Sequence, residues 1–503
     1  MSKQAHVGSE EPVTPREVRA VFFGLMVVMG LGALDQSIVA TALPRIVSDL
    51  GGMAHLSWVV TAYVLASTAT MPLYGKLADQ YGRRPMIYTA LLTFLLGSAL
   101  CGLAQNMTEL IIFRAIQGLG AGGFMPLAQI IIGDMVPPGE RGKRQGMVPI
   151  VFAVTSVLGP VLGGVITDAL SWHWIFYVNL PIGAVAFFII ARAMRKPVRM
   201  HAHKIDYLGS FLLVGAITSA LLVLALGGTE WPWDAMAIKV CVAIALVMGG
   251  WLAVHVGCVD EPVLPPDLFE NRTFNIASLV MAMTFMGLMG ASVFFPLFFQ
   301  LVMGTSPAES GVMTVAMMVG LVVSSMVNGR VLSRSGKYKM VQVAGLSVAV
   351  LAFAVLAWAM ETAQGYWVIE PAIFFLGTGL GLVMPNMTIA VQNALPLARR
   401  GVGTALLAFF RSLGGLLGVT GSGAILAHQL HAHGVQAVST LGAHAAQAQT
   451  VEVYRHAIAS VFGAGAVLLL LGLLVLLFLP ELPLEGHPAN VKKAAAPADA
   501  ELI

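Results

Sequence analysis

GLGAGGFMP, residues 118–126, and GTGLGLVMP, residues 377–385, are followed at equal spacing by VPPGERG, residues 136–142, and LPLARRG, residues 395–401. Gly118, Gly120, Gly122, Met125, Pro126, Pro137, Arg141 and Gly142 map onto Gly377, Gly379, Gly381, Met384, Pro385, Pro396, Arg400 and Gly401 at one constant offset of 259. A second pair of copies, GKLADQYGRRP from Gly75 and GRVLSRSGKYK from Gly329, lies at an offset of 254. The glycine-rich copies lie inside long apolar runs. Duplicated halves in a membrane chain build a central site that opens to alternate sides, so the repeat points to transport before any single residue does.

Hydrophobic residues make up 57% of the chain and charged residues 11%, a charged share about half that of soluble domains. Apolar runs of about 20 residues, enough to cross a bilayer, recur fourteen times: 19–42, 57–75, 86–104, 110–133, 146–167, 174–192, 208–227, 237–257, 274–302, 310–330, 340–360, 366–393, 402–426 and 458–479. A soluble fold would show short amphipathic helices instead. The expectation is an all-α integral membrane protein with fourteen transmembrane helices.

Lys and Arg stay on the cytoplasmic side of a membrane. With the N-terminus inside, 23 of the 28 fall on that side; Arg45, Lys239 and Arg455 lie on or near the outer side, and Arg114 and Arg411 lie within helices. An odd number of spans would scramble this alternation, so both termini are expected to be cytoplasmic. The net charge of +3 reflects this rule, and no nucleic-acid partner is implied. The first apolar run carries Asp35 and no cleavage site, so it reads as a true span. Cys101, Cys241 and Cys258 fall in or at the ends of spans, which argues against disulfides.

Subtracting the two spans at 208–257 puts the GKLADQYGRRP and GRVLSRSGKYK copies after the second helix of each of two six-helix bundles. The expected architecture is therefore two pseudo-symmetric six-helix bundles plus two inserted central helices. Its parts are a cytoplasmic tail at 1–18, the first bundle at 19–192, a basic linker with the inserted pair at 193–260, the second bundle at 261–480, and a cytoplasmic tail at 481–503.

In their order along the chain, LDQSIVATALP from Leu34, GKLADQYGRR from Gly75, RAIQGLGAGG from Arg114, LGPVLGG from Leu158, SWHWIFYVNLPIG from Ser171 and FFQLVMGTSPAESG from Phe298 resemble the major facilitator superfamily. The branch they resemble is its fourteen-helix drug:proton antiporters of the EmrB/QacA type, and the resemblance covers about residues 18–480. It implies a bacterial inner-membrane exporter of lipophilic, often cationic compounds, driven by a proton gradient without a cofactor, and not an enzyme. Some relatives work with a periplasmic adaptor protein. Export of one physiological metabolite, lipid, siderophore or peptide is the alternative.

The resemblance also implies that Gly75, Asp79, Gly82, Arg83 and Arg84, with Asp134 as a further partner, form a latch that docks on the other bundle. The opposing surface would be the helix start at Gly401, whose positive dipole end suits a carboxylate. The bland reading is a positive-inside turn. The second copy carries Ser333 in place of Asp79, so a charge latch would be one-sided. Gly159, Pro160, Gly163 and Gly164 form a seam of small residues, which packs helices closely and, in the functional reading, lets the bundles rock. Thr155 stands where the antiporter signature usually has glycine.

Charge within a span is expensive, so it normally faces a wet cavity or a partner. Asp35 is a candidate for binding protons or attracting a cationic substrate, unless it only pairs with a nearby donor. The resemblance assigns Arg114 a part in proton transfer, although an interfacial, outward-reaching Arg is the plain alternative; its repeat counterpart is Ile373. Arg411 is a candidate gating or counter-charge residue. Gln117, Phe299, Gln300, Asn386 and Gln392 are candidates to line a substrate cavity, although packing accounts for much of the aromatic run around Phe299. His428, His431, His433 and His444 have no acid or Cys to complete a metal site, and no GxxxxGK[ST] loop for ATP is present. The rival from another class is a membrane enzyme or sensor, but no catalytic signature supports it.

Overall fold

The computed structural model describes residues 15–51, 56–136, 138–194, 206–228, 231–432 and 448–483. The expected tails, most of the basic linker, and His433 and His444 lie outside these residues. The described chain is helical throughout: α1 (Pro15–Leu50), α2 (Leu56–Tyr81), α3 (Arg83–Cys101), α4 (Met107–Ala121), α5 (Phe124–Met135), α6 (Pro138–Gln145), α7 (Val148–Ala169), α8 (Trp174–Tyr177) and α9 (Asn179–Ala193) are followed by the hairpin α10 (Tyr207–Leu226) and α11 (Met236–Val256). Then come α12 (Asp267–Glu270), α13 (Arg272–Leu301), α14 (Pro307–Ser335), α15 (Lys339–Glu361), α16 (Tyr366–Ala394), α17 (Arg400–Ala432) and α18 (Ala448–Leu477).

Thirteen stretches among the described residues are long and apolar enough to cross a bilayer. The expected second span, 57–75, falls in α2, which has ample length at 26 residues but is interrupted by Thr61, Tyr63, Ser67, Thr68, Thr70 and Tyr74. The expected fourth span divides into α4 and α5 at Gly122 and Gly123. The same stretch of the second half has Leu382 after Gly381, and there α16 runs unbroken. Two adjacent glycines lack the side-chain packing and helix propensity that would carry the helix through. The stretch between the expected spans 402–426 and 458–479 is shorter than those bounds imply, because α17 continues to Ala432 and α18 begins at Ala448.

Three groups of buried side chains hold these helices together. One set of cores lies within α1–α9, a large core lies within α12–α18, and a small cluster around Leu212, Leu213, Leu252 and Val263 anchors the hairpin. Repeated sequence makes repeated contacts. Gly118, Gly120 and Gly122 bring α4 against the backbones of Tyr63, Ala90 and Ser67, and Gly377, Gly379 and Gly381 bring α16 against those of Met317, Gly345 and Leu321. A side chain at any of these positions would collide with main chain, so the glycines set the interhelical distance.

Both ends of the described helical array lie together at the end rich in Lys and Arg, the basic end. The first turns of α1 pack beside the end of α5, with Phe22 under the Arg144 guanidinium. The last residue of α18, Leu477, accepts a hydrogen bond from Lys339 Nζ at 2.8 Å.

Candidate functional site

At the basic end, α2 leads into α3 through Gly82, whose φ of 90° suits glycine alone. This turn brings Asp79 and Arg83 together at 2.8 Å. Arg83 also reaches Asp134 through Nε at 2.9 Å and the carbonyl of Ala78 at 2.6 Å. The other carboxylate oxygen of Asp79 accepts the Val402 N–H at 2.9 Å, in the first turn of α17, where unpaired amides and the helix dipole favour an anion. Gly75 lies against Gly401, Val402 and Ala405 without room for a side chain. Arg84 turns away to Tyr88, 3.2 Å from its hydroxyl. Farther along the same seam, Gln392 donates to the Gln129 carbonyl at 3.0 Å and covers Gly133, and Ser412 reaches Met71 at 3.6 Å.

Each of these cross-contacts lies at the basic end or no farther than Met71 and Ser412. Beyond that level Gln36 of α1 is exposed, and Phe285 and Met289 of α13 and Arg411 of α17 are half-buried. To one side, an apolar cavity of about 490 Å³ opens along the seam of α7 and α14, lined by Ala153, Val154, Leu158, Val315, Met318 and Val322 among others.

Asp35 does not face that cleft. It points into the core of α1, α3, α4 and α9 and is 1% exposed, as is Arg114. The two form an ion pair at 2.6 Å. The second oxygen of Asp35 accepts from Gln117 Nε2 and Asn179 Nδ2, both at 2.8 Å, and Ser98 Oγ receives those same two amides at 2.6 and 3.0 Å. Arg114 also donates to Gln117 Oε1 at 2.6 Å and, through Nε, to the Val59 carbonyl at 3.2 Å, while the Tyr63 ring covers its guanidinium at 4.2 Å. The interfacial reading of Arg114 therefore gives way: it is wholly buried, and its partner is the acid of helix α1. Asp35 is closed off from solvent by these partners. The Oδ1 of Asn179 is buried without a partner, leaving one acceptor beside the pair unused.

The remaining expected residues separate cleanly. Gly159 and Gly163 receive Ser37 and Thr41 of α1, whereas Gly164 faces open space; Pro160 lies inside α7. Gln117 belongs to the Asp35 cluster and does not line the cleft. Phe299 is fully buried against Phe298 in the core of the second half. The Gln300 amide donates to Ser310 at 2.9 Å, and Asn386 pairs with Asn328 at 3.0 and 3.1 Å. Among the described residues, the Arg411 guanidinium lies over the Phe285 ring at 5.1 Å.

Sequence reasoning missed Asn179, Ser98 and Tyr63. Asn179 had a signal, a lone amide inside SWHWIFYVNLPIG; Ser98 and Tyr63 had none. It also missed Asp206 and His255, which meet at 2.7 Å where the hairpin's two basic-end termini converge. Asp206 caps α10 through Gly209 N–H at 2.7 Å and accepts Val263 N–H at 3.2 Å. Burial works to raise its carboxyl, but His255 and these two amides prevail and hold it below the usual carboxylate range.

The Major Facilitator Superfamily model matches residues 25–419. The multidrug transporter protein MdtP of Bacillus subtilis (strain 168) is 39% identical over 403 residues, covering 80% of this chain and 74% of that protein. Multidrug resistance protein 3 of the same organism is 37% identical over 401 residues, covering 80% and 78%. Among solved structures, the human organic anion transporter MFSD10 (TETRAN) is 15% identical with a TM-score of 0.65, covering 92% of this chain and all of that one. At that identity the likeness concerns the fold.

Proposed function

The chain belongs to the Major Facilitator Superfamily and is a membrane transporter; from that premise we propose that it exports lipophilic compounds in exchange for protons. The names of the Bacillus relatives support export of drug-like molecules. The repeated glycine contacts support two six-helix bundles related by pseudo-symmetry with α10–α11 inserted between them, and the 26-residue length of α2, beside the thirteen apolar stretches, supports fourteen spans. The concentration of Lys and Arg supports assigning the basic end, with both termini, to the cytoplasm of a bacterial inner membrane. On that assignment the seam is sealed towards the cytoplasm and parted towards the outside.

Proton coupling rests on one observation, the Asp35–Arg114 pair buried within a membrane bundle. A proton arriving at Asp35 Oδ2 removes the charged acceptor of Arg114 NH1, which keeps only the neutral Gln117 Oε1, and leaves a buried cation without its counter-charge. The α1–α4 contact then rearranges, and a change in the packing of α1 is transmitted to its neighbours α5 and α7. Only a difference in proton affinity between the two facing states can drive such a cycle. The Asp79–Val402 contact, made in the state described, is one interaction that distinguishes them.

The test uses purified protein in liposomes with a pH-sensitive dye inside and an imposed proton gradient. Lipophilic cations, neutral compounds and acids are added in turn, with wild type compared to Asp35→Asn. Substrate-triggered proton flux that Asp35→Asn abolishes is the expected result. Flux unchanged in the variant removes Asp35 from the coupling step, and transport without proton flux removes antiport.

A further inference from the structure

Of the charged side chains lying deep in the described spans, Asp35 and Arg114 neutralise one another. Arg411 has no such partner. Among the described residues no carboxylate pairs with it and its guanidinium makes no hydrogen bond; its Nε is sealed from solvent without an acceptor. The residue as a whole nevertheless keeps part of its surface free. It lies eleven residues into α17, about 16 Å along the helix, near the middle of a hydrocarbon layer roughly 30 Å thick.

Its direction follows from its neighbours on α17. Gly414 and Gly418 pack on Ala282 and Met286 of α13, whereas Ala405 and Ser412 meet Gly75 and Met71 of α2. At roughly 100° per residue, Arg411 falls on the arc between those faces, shared with Gly415, which meets Phe285 and Met289. It is level with Ser412, where the seal ends. The guanidinium thus stands at the floor of the parted seam, with the Phe285 ring beside it and Met289 nearby.

A cation in such a wall is eased by water and by the Phe285 ring face, but only an anion that arrives from elsewhere neutralises it. We propose that Arg411 is the anion-binding subsite of the transport cleft and that the cargo it receives is a lipophilic acid, an apolar body carrying a carboxylate or a group of like charge. The acid accepts charge-assisted hydrogen bonds from the terminal guanidinium nitrogens, and Phe285 and Met289 take the apolar body. The one carboxylate at comparable depth among the described residues, Asp35, is turned away into the first-half core, so the cleft selects against a matched cation. This names the cargo class of the export reading and rests on that reading for transport, though not for binding.

The test pairs two probes of one shape and opposite charge, 1-pyrenebutyrate and 1-pyrenebutylamine, titrated by fluorescence anisotropy onto the full-length protein in nanodiscs. Wild type is expected to bind the carboxylate roughly tenfold more tightly than the amine, the size of one charge-assisted hydrogen bond. Arg411→Gln removes that preference, and Arg411→Lys keeps most of it. Arg411→Met, apolar and similarly long, serves as the neutral variant should Arg411→Gln not fold. Equal binding of the two probes by wild type overturns the proposal, as does a preference that persists in the neutral variants. Outward transport of lipophilic compounds without acid preference in binding overturns the subsite and leaves export standing. An Arg411-dependent preference with no transport of any compound does the reverse.

Discussion

Asp35 and Arg114 were each legible as a charge inside an apolar run, but their meeting was not. They are 79 positions apart, and the repeat gave no help, since Ile373 stands at the place corresponding to Arg114. A sequence shows that a buried charge needs a partner and does not show which face of the helix carries it. Asp35 and Gln36, one residue and roughly 100° apart, are buried in the core and exposed respectively. The pair also makes a separable prediction. Asp35→Asn and Arg114→Gln each leave a buried charge or donor unanswered and should each cost about 3–5 kcal/mol, read as a fall in thermal midpoint. The double variant removes both charges and should recover much of that loss, because the amides can still bond to Gln117 and Ser98. Proton flux should stay absent in all three. A double variant no more stable than the worse single would mean that the ion pair does not organise this core.

At the scale of elements, the glycines that space α4 and α16 were readable from the repeat, whereas the interruption between α4 and α5 was hidden in the apolar pattern, which is the same for a broken and a continuous helix, and showed only in Gly123 standing where the other copy has Leu382. The aromatic run around Phe299 was ambiguous for a related reason: a membrane helix is apolar on all sides, so composition cannot separate core from cleft. The hairpin depends on a contact that only the fold reveals, Asp206 gathering the start of α10, the end of α11 and the Val263 amide. Asp206→Ala should loosen it by about 1–2 kcal/mol, seen as faster hydrogen exchange across α10. Asp206→Asn, which still caps the helix, should do less. The carboxyl is held below its unfolded value of about 3.9, so its contribution is complete above that pH and fades as pH falls through the lower folded value. Protection in α10, exchange measured relative to the intrinsic rate at each pH, should therefore be flat from neutrality to about pH 4 and fall below it. Protection already lost well above pH 4 would mean that this carboxylate does not hold the hairpin.

For the whole molecule, membrane-spanning character and helical class followed from composition and spacing, and the matched glycine contacts of α4 and α16 from the offset of 259. Which end is closed did not, since sequence is common to every state of a transporter. The closed end depends on a glycine-only approach of α2 to α17 and on a single carboxylate, Asp79, at the first turn of α17. Asp79→Asn keeps the shape and removes the charge, so the closed state should lose about 1–2 kcal/mol, a shift of roughly five- to thirtyfold in the ratio of states. Spin labels across the basic ends of α2 and α17 would read this as a second, longer distance; an unchanged distribution would reduce the latch to a turn. The lone Arg411 has a consequence of another kind. A fixed positive charge midway through the bilayer is exposed to the membrane voltage, at about 2.3 kcal/mol per charge for a full crossing of 100 mV. With an acid bound, the site is electrically silent. The empty carrier moves charge each time its two halves tilt, and the filled one does not. Voltage therefore acts on the unladen half of the cycle, and the protein carries its own electrical asymmetry in one side chain.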